Sequence, residues 1–426
     1  MIEKSNKKYQ GEVKVKRFFQ ISFILIFFLP FHAWSLDVIP GLKVFGSNTR
    51  AAYGNVTNPK ICIVNTLNPT SAIQDSTRNG VPVKTGGLKS FIDWNVNNKL
   101  IIFEVSGYIV YNGRYTLDNN YVTIAAQTSP SPGITLRNTK LDIRGHDVLI
   151  QHLRVRMDDC GTFNEDPYKS GIDCGEAFFT RDGININSYN VVVDHCCVSW
   201  ATDENVGIGY SGIANSSVVN CIISEGLYNS NHPDGKHSMG LISNGGENIA
   251  IINNLFIHNN ERNPYFTSSG GMLLTYALIA NNLIYNPGNL NYHSASRASA
   301  DKFNNVGNVV VGGPSTNYHS QHFWPVLFRD TSNATRLYIH DNRIEAIGKA
   351  VYTSNEPNDW SRVRLESGSD DEEFCKVLAP AFPYPSGYGP IQSNNVKSYV
   401  LANVGARPAD RDPVDRRLIN DVINKT

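Results

Sequence analysis

Residues 181–266 decide the fold, and they read RDGININSYNVVVDHCCVSWATDENVGIGYSGIANSSVVNCIISEGLYNSNHPDGKHSMGLISNGGENIAIINNLFIHNNERNPYF. Short β-branched runs, such as residues 191–193 and 249–252, are each followed within two positions by His or Asn. Brief apolar runs closed by polar turn residues are typical of short strands separated by turns. No part of this stretch has the spacing of a long helix, so it predicts β structure.

Similar runs recur through much of the chain, at residues 122–124, 148–150, 191–193, 217–219, 249–251, 277–279, 309–311 and 337–339. Their spacing of roughly 25 to 45 residues lies in the range of repeat architectures. Polar residues hold the place before the next short strand, namely His195, Asn220, Asn254, Asn282, Asn308 and Asn342. In a parallel β-helix the coils stack, so asparagines at equivalent bends can form a ladder of amides that satisfies buried backbone groups.

The predicted fold is therefore all-β, a right-handed parallel β-helix (solenoid) with loop excursions. A β-sandwich or a propeller is the alternative, but strict two-residue alternation is missing and the runs are too irregular for blades. Residues 88–96 and 396–402 have helical spacing. We expect residues 367–426 to form a tail that packs on the outside of the solenoid and caps its last coils.

Composition agrees with a turn-rich β protein, because 41% of the residues are hydrophobic and the chain has 34 Gly and 20 Pro. Only 18% of the residues are charged, and the formal net charge is zero. A chain with this balance of charges shows no excess of basic residues for binding nucleic acid, so we expect no nucleic-acid partner.

The first residues have the pattern of a secretory signal peptide. A basic leader precedes the apolar run FFQISFILIFFLPF, and the small residues of Ala33-Trp34-Ser35 follow it. We expect residues 1–35 to be removed and residues 36–426 to form one secreted domain, with an uncleaved signal anchor as the alternative. The leader carries six basic and two acidic residues, so its removal leaves about four net negative charges. Such a chain is better suited to holding cations than polyanions.

The seven cysteines define no CxxC pair. In an oxidising compartment Cys160 and Cys174 could close the loop between them, but the connectivity stays open. Cys196, Cys197 and Cys221 lie in strand-like runs, where a buried and inert thiol is expected.

Three acids are candidates for a metal site. Asp182 precedes one predicted strand, and Asp203 and Glu204 follow the next. If consecutive coils stack, the three carboxylates form the kind of oxygen cage that Ca²⁺ prefers. The alternative is that each acid caps a turn or faces solvent.

Arg262 stands close to a proline in HNNERNPYF, so a stiff turn would display its guanidinium. It could clamp a sugar carboxylate, or it could form an ion pair with Glu261 or a neighbouring acid. In HPDGKHSMG, Lys236 could meet an anionic substrate, whereas His232 and His237 have the pattern of ordinary surface histidines.

The segments VVVDHCCVSWATDENV, IISEGLYNSNHPDGKHSMG and NNLFIHNNERNP resemble the pectate lyase family of right-handed parallel β-helix polysaccharide lyases, in the form common among secreted bacterial members. The resemblance implies Ca²⁺-dependent β-elimination on polygalacturonate. By position, it assigns Asp182, Asp203 and Glu204 to the metal and Arg262 to abstraction of the C5 proton. We also expect Lys236 and His232 to contact the substrate, and the mature protein to act as a monomer away from membranes.

Three positions depart from the family pattern. Asp234 stands where members usually have lysine, Thr267 where some branches have a second arginine, and Gly207 where another branch has a further acid. The departures at Asp234 and Thr267 keep a non-catalytic polysaccharide-binding β-helix as one alternative. The other is a polygalacturonase-type hydrolase, which needs a carboxylate pair such as Asp158 and Asp159. A pectin lyase would not need the acidic cage.

Overall fold

The structure is a computed structural model that describes residues 41–158, 181–209, 212–230, 232–268, 273–288, 293–295, 301–316, 326–329, 335–345, 352–353, 363–365 and 382–426. All of them belong to one compact unit, Asp37–Thr426. The predicted signal peptide, Cys160, Cys174 and Asp159 lie outside the described residues.

Twelve strands form the first sheet, here called sheet A. In spatial order they are Gln74–Arg78, Val81–Gly86, Lys60–Val64, Lys99–Phe103, Val122–Ala125, Val148–Gln151, Val191–Asp194, Ala214–Val219, Glu247–Ile252, Ala277–Ala280, Lys302–Val306 and Arg336–His340. The first two form an antiparallel hairpin, and the other pairs are parallel.

A second, 17-stranded sheet contains the remaining strands. Its strands fall into two groups, here called sheet B and sheet C. Sheet B contains Gly107–Leu117, Ile134–Ile143, Ile184–Ile186, Glu204–Gly209, Met239–Asn244, Tyr265–Thr267, His293–Ala295, Val326–Arg329 and Val363–Leu365. Sheet C contains Arg154–Arg156, Cys197–Ser199, Ile222–Ser224, Leu255–Ile257, Leu283–Tyr285, Val309–Val311, Arg343–Glu345 and Tyr352–Thr353. Sheets B and C meet at the strand Ile134–Ile143. The first half of this strand pairs with Arg154–Arg156 of sheet C, and its second half pairs with Ile184–Ile186 of sheet B.

Each coil passes from sheet A to sheet C and then to sheet B. One coil runs through Val191–Asp194, Cys197–Ser199 and Glu204–Gly209. Its strands pair in parallel with Ala214–Val219, Ile222–Ser224 and Met239–Asn244 of the next coil. Alternate apolar side chains from all three sheets point into one buried core. The chain is therefore a parallel β-helix, as predicted.

Seven of the eight predicted runs lie in strands of sheet A, but residues 309–311 do not. Val309–Val311 is a strand of sheet C, and the sheet A strand of that coil is Lys302–Val306. The run is a strand, as predicted, and the sheet A strand of this coil gave no apolar run because it carries buried Asn304 and Asn305. The Nδ2 of Asn304 donates to the hydroxyl of Tyr276 at 2.6 Å, which satisfies its amide inside the fold.

The asparagine ladder is present at the turn between sheets A and C. Each ladder residue is here called a rung. The Oδ1 atoms of Asn282, Asn308 and Asn342 each accept a hydrogen bond from the backbone N–H of the rung one coil earlier, at 3.0, 3.0 and 2.9 Å. Side-chain amides also join Asn254 to Asn282 at 3.0 Å and Asn282 to Asn308 at 2.9 Å. The ladder is therefore confirmed for these four residues.

His195 and Asn220 do not hold the ladder position, so that part of the prediction is wrong. Both have left-handed backbone conformations, with φ of 51° and 52°, and lie one residue earlier in the turn. The rungs of their coils are Cys196 and Cys221, and Cys221 donates its backbone N–H to Asn254 Oδ1 at 2.9 Å. The polar residue and the ladder position are adjacent in sequence, which is why spacing alone did not separate them.

The described helices are few. Helix α1 spans Leu88–Asp93, helix α2 Ser393–Asn403 and helix α3 Pro413–Asn424, with 3-10 turns at Ala51–Tyr53 and Ala126–Thr128. The first two confirm the predicted helical spacing, whereas α3 was not predicted. Among the described residues, no helix has the length and apolarity to cross a membrane.

The C-terminal tail packs on the outside of the solenoid, as predicted. Val396 and Val400 of α2 and Leu418 and Val422 of α3 are buried against sheet C, in one cluster with residues from Cys197 to Val311. The tail also reaches the following coil, where the N–H and the hydroxyl of Ser393 donate to Asp341 at 2.7 and 2.8 Å. That the tail caps the last coils stays a prediction.

Buried ion pairs fasten helix α3 to sheet C. Arg154 Nε lies 2.8 Å from Asp415 Oδ2, and Arg156 contacts Asp412 at 2.6 Å and Asp415 at 3.0 Å. Asp412 also caps α3 by accepting the backbone N–H of Asp415 at 2.9 Å. Burial raises the pKa of Asp412, but the hydrogen bonds from Arg156 and the Asp415 N–H, together with the charges of Arg156 and Arg154, outweigh it and the pKa is lowered.

Candidate active site

The three predicted acids meet at the amino-terminal edge of sheet B. Asp182 lies two residues before Ile184–Ile186, and Asp203 directly precedes the strand that begins with Glu204. Because Ile184 pairs with Val206, the two turns lie side by side. One carboxylate oxygen from each of Asp182, Asp203 and Glu204 lies within 4.8 Å of the others.

This arrangement fits a calcium ion. Ca²⁺ binds oxygen ligands at about 2.3–2.6 Å, so ligands around one ion are separated by up to about 5 Å. Gly207 borders the cluster, and a Cβ there would lie 1.9 Å from Asn185 Oδ1 and 3.3 Å from Asp182 Oδ2. An acid at position 207, as in another branch of the resembled family, would thus collide with Asn185.

Basic side chains neutralise part of the acid cluster. Lys140 Nζ lies 2.8 Å from Asp182 Oδ2, and Glu204 forms an ion pair with Arg262. Burial raises the pKa of Asp182 despite the opposing charge of Lys140, and nearby Asp203 raises it further. Crowded, poorly solvated carboxylates of this kind are stabilised by a bound cation.

Arg262 is displayed from the turn before the strand Tyr265–Thr267. Its backbone is left-handed, with a φ of 59°, and its guanidinium carbon lies 5.7 Å from the ring centroid of Tyr265. The ion pair with Glu204 matches the alternative role given for Arg262, a contact with a neighbouring acid. Burial lowers the pKa of Arg262, although Asp203, Tyr265 and Asp182 act in the opposite direction.

Two histidines flank Asp203. His232 and His237 are 6% and 8% exposed, so the expectation of ordinary surface histidines is wrong. Their Nε2 atoms lie 3.6 and 3.8 Å from the Asp203 carboxylate. His232 Nδ1 accepts the N–H of Asp234 at 3.1 Å, and His237 Nδ1 lies 3.1 Å from the Gly235 carbonyl oxygen, which fixes both rings.

The register of sheet B explains why this loop reaches the cluster. Met239 pairs with Glu204, so the residues just before Met239 lie beside the turn that carries Asp203. Sequence spacing did not reveal this, because the loop between the strands varies in length from coil to coil.

Lys236 takes a different place from the histidines. Its side chain is exposed, and its Nζ lies 5.2 Å from the ring centroid of Tyr228. Within the described part of the chain, no ion pair joins Lys236 to the acid cluster. Its role in substrate binding stays a prediction.

Asp194 and His195 form a partly buried hydrogen-bonded pair and are not part of a catalytic triad. His195 Nδ1 lies 2.6 Å from Asp194 Oδ1, and Gln151 Nε2 donates to Asp194 Oδ2 at 2.9 Å. Ser199, the third member of a triad, is instead hydrogen-bonded to Ser224 at 2.8 Å on sheet C.

The cysteines predicted to be inert are fully buried free thiols. Cys196, Cys197 and Cys221 have no exposed surface, and no disulfide joins them. Burial raises the pKa of Cys197 and of Cys221 far above the usual thiol value. They therefore serve as core residues.

Fold and site together define a parallel β-helix protein with a charged cluster at the edge of one sheet. No protein-family model matches the chain. The "Probable pectate lyase C" of Emericella nidulans is 26% identical over 393 residues, which cover 92% of this chain and 76% of that protein.

Solved structures agree on the fold. Jun a 1, the major allergen from cedar pollen, matches with a TM-score of 0.53 at 14% identity, over 85% of this chain and 92% of that one. A thermostable pectate lyase matches with a TM-score of 0.51 at 11% identity, over 85% and 97%. The predicted resemblance is confirmed: the chain is related to the pectate lyases and shares their parallel β-helix.

Proposed function

We propose that this chain is a secreted pectate lyase that cleaves polygalacturonate, the demethylated form of pectin, by Ca²⁺-dependent β-elimination. The products are 4,5-unsaturated oligogalacturonides. One observation carries the proposal: Asp182, Asp203 and Glu204 form a single cluster, and Arg262 contacts it. The relationship to probable pectate lyases supports the same substrate.

The metal-binding role falls to the three acids. Ca²⁺ held there would withdraw charge from a uronate carboxylate and acidify the neighbouring C5 proton. Asp203 is 25% exposed and has the most open carboxylate of the three. His232 and His237 pack beside it and limit its movement, so they act as positioning residues for Asp203.

Arg262 is the proposed base. It takes the C5 proton of the uronic acid, the electron pair of that bond forms the C4–C5 double bond, and the C4–O glycosidic bond breaks. The leaving oxygen takes a proton from solvent. A rigid turn holds the guanidinium at the cluster, so proximity and orientation contribute to the rate.

An arginine base has a direct consequence for pH. A guanidinium is almost always protonated, so only a lowered pKa gives a useful neutral fraction. Burial lowers the pKa of Arg262, and the neutral form therefore gains population as pH rises. We expect an alkaline optimum, and a pH–rate profile that peaks below neutrality would count against this assignment.

The hydrolase alternative has less support in this structure. Asp158, offered as one member of its acid pair, lies 3.2 Å from Arg137 in an ion pair. A binding protein without activity would keep the cluster but form no product. These alternatives can be separated by one pair of assays.

The test uses residues 36–426 mixed with polygalacturonate at alkaline pH, with added Ca²⁺ or with a chelator. The proposal expects ultraviolet absorbance from the unsaturated product that rises with Ca²⁺ and stops with the chelator. Reducing ends without absorbance would establish a hydrolase. Binding of the polymer without either signal would establish a non-catalytic protein.

A further inference from the structure

A polar pocket of about 630 Å³ lies between helix α3 and the turns that follow sheet C. Glu225, His258 and Asn286 line it, and each directly follows a strand of sheet C, in three successive coils. Arg417 and Asp421 of helix α3 form the wall on the side of the tail. The pocket thus lies where the solenoid meets its C-terminal tail.

Hydrogen bonds hold the pocket walls in place. Arg417 donates to Glu225 Oε2 at 2.7 Å and to Asp421 Oδ2 at 3.1 Å. His258 Nε2 lies 3.3 Å from Asp421 Oδ2, and Asn286 Nδ2 donates to His258 Nδ1 at 2.8 Å. Polar groups that are already ordered lose little conformational entropy when a ligand binds.

The charge of the pocket disfavours an anionic ligand. Its described lining side chains include the two carboxylates of Glu225 and Asp421 against the one guanidinium of Arg417. Both carboxylates contact that guanidinium, which leaves it little capacity to bind a uronate. Burial lowers the pKa of His258 despite the opposing hydrogen bond to Asp421, so its ring adds no positive charge at neutral pH. A ligand without charge avoids the repulsion that a uronic acid unit would meet here.

The open groups of the pocket match the apolar face and the hydroxyls of a neutral sugar. Tyr228 lines the pocket and is 44% exposed, so its ring offers both an apolar face and a hydroxyl. The hydrogen bonds of Glu225 use Oε2, and within the described part of the chain none engages its Oε1. A pocket of this size accommodates about one or two sugar units.

The pocket shares its turns with the acid cluster. Glu225 begins the turn that ends at Ser238, next to Met239, which is the strand partner of Glu204. His258 lies four residues before Arg262, a span of at most about 14 Å. A polymer bound at Arg262 would therefore bring a short branch within reach of the pocket.

We propose that this pocket is a second carbohydrate site, which binds a neutral sugar branch of the pectic polymer that the acid cluster cleaves. Tyr228 supplies the stacking surface, and Glu225 supplies an acceptor for sugar hydroxyls. The inference rests on the proposed function and extends it to branched substrates.

The first test is isothermal titration of residues 36–426 with galactobiose, a neutral disaccharide, with and without excess digalacturonate and in the presence of chelator. Tyr228→Ala and Glu225→Gln are the pocket variants. Tyr399→Ala is the matched control, because Tyr399 is a 38% exposed tyrosine of helix α2 that does not line the pocket. Thermal unfolding checks that each variant is folded.

We expect each pocket variant to bind galactobiose about three- to tenfold more weakly. The control should bind like the wild type, and digalacturonate should not displace the neutral sugar. The proposal would be overturned by undetectable binding to the wild type, by displacement with digalacturonate, or by wild-type affinity in both pocket variants.

A kinetic measurement tests whether the bound sugar is a branch of the substrate. Saturating galactobiose should raise the KM of the wild type for a galactan-branched pectic polymer and leave the KM for linear polygalacturonate unchanged. An unchanged KM for both polymers would assign the pocket to free sugars and overturn the branch.

Failure of the pocket and failure of the proposed function give different results. If the wild type forms no unsaturated product yet binds galactobiose through Tyr228, the pocket stands as a sugar site and the lyase proposal falls. If it forms product but does not bind galactobiose, the lyase stands and the pocket falls.

Discussion

Two polar regions of this β-helix, one buried and one partly exposed, are built differently. At the turn between sheets A and C, Asn254, Asn282, Asn308 and Asn342 pass neutral amide hydrogen bonds from coil to coil. At the amino-terminal edge of sheet B, acids and bases pair with one another across coils.

The difference lies in what remains unsatisfied. Each inner rung of the ladder both donates and accepts at 2.9–3.1 Å, so its hydrogen-bonding groups are used within the protein. In the cluster, Asp203 is approached by His232 and His237 at 3.6 and 3.8 Å, longer than a hydrogen bond. A region with complete hydrogen bonding stabilises the fold. A region whose carboxylate oxygens are not all used in hydrogen bonds can bind a cation.

The largest effect should come from Arg262→Lys. Lysine keeps the charge opposite Glu204 but not the planar guanidinium, so the proposed base is lost while the ion pair is retained. We expect kcat on polygalacturonate to fall by about 10²–10⁴, measured by product absorbance at alkaline pH with Ca²⁺. The free energy of unfolding should change by less than about 1 kcal/mol. A variant with wild-type kcat would remove Arg262 from catalysis.

Asn282→Ala should break the ladder. It removes the acceptor for Asn254 and the donor to Asn308, and it leaves buried groups unpaired. We expect a loss of about 2–4 kcal/mol in the free energy of unfolding, with kcat per folded molecule unchanged. Denaturant unfolding measures it, with the exposed Asn424→Ala as control. Equal stability of the two variants would contradict the structural role of the ladder.

Acid should weaken the attachment of helix α3. The pKa of Asp412 is lower in the folded protein than in the unfolded chain, so its stabilising effect is present above the unfolded value of about 3.9 and is lost as pH falls through the folded value. Asp412→Asn should cost about 1–3 kcal/mol at neutral pH. It should also flatten the dependence of unfolding free energy on pH in the acid range. If the unfolding free energy depended on pH in the same way in the variant and the wild type, Asp412 would not contribute to the loss of stability in acid.

The smallest effect should come from His232→Gln. Glutamine retains a polar side chain, but it cannot reproduce the ring that packs beside Asp203. We expect Ca²⁺ affinity, measured by calorimetry without substrate, to fall by about three- to tenfold, while thermal stability changes little. Lys236→Gln is the control, because Lys236 is exposed and lies over Tyr228. Equal Ca²⁺ affinity in both variants would rule out a positioning role for His232.

Sequence patterns predicted the parts of this molecule that depend on local chemistry. The apolar runs of sheet A, four rungs of the ladder and the three acids all have a periodic or positional signal. His195 and Asn220 were predicted one residue away from the true ladder position. In these turns a residue with left-handed backbone conformation directly precedes the ladder residue.

Other features depend on long-range pairing and left no local signal. His232 and His237 are buried because the strand that follows them pairs with Glu204–Gly209. His258 and Asn286 come together only because turns from different coils lie side by side. Helix α3 differs, because its start has a local signal that was missed: Asp412 is the N-cap and Pro413 takes the first helical position.

The most direct test of the account is the dependence of product absorbance on free Ca²⁺, measured for the wild type and Asp203→Asn. We expect no absorbance in chelator, a saturable rise with Ca²⁺ in the wild type, and a requirement for at least about tenfold more Ca²⁺ in the variant. Wild-type cleavage at full rate in chelator, or an unchanged Ca²⁺ requirement in Asp203→Asn, would contradict a catalytic cation held by these acids.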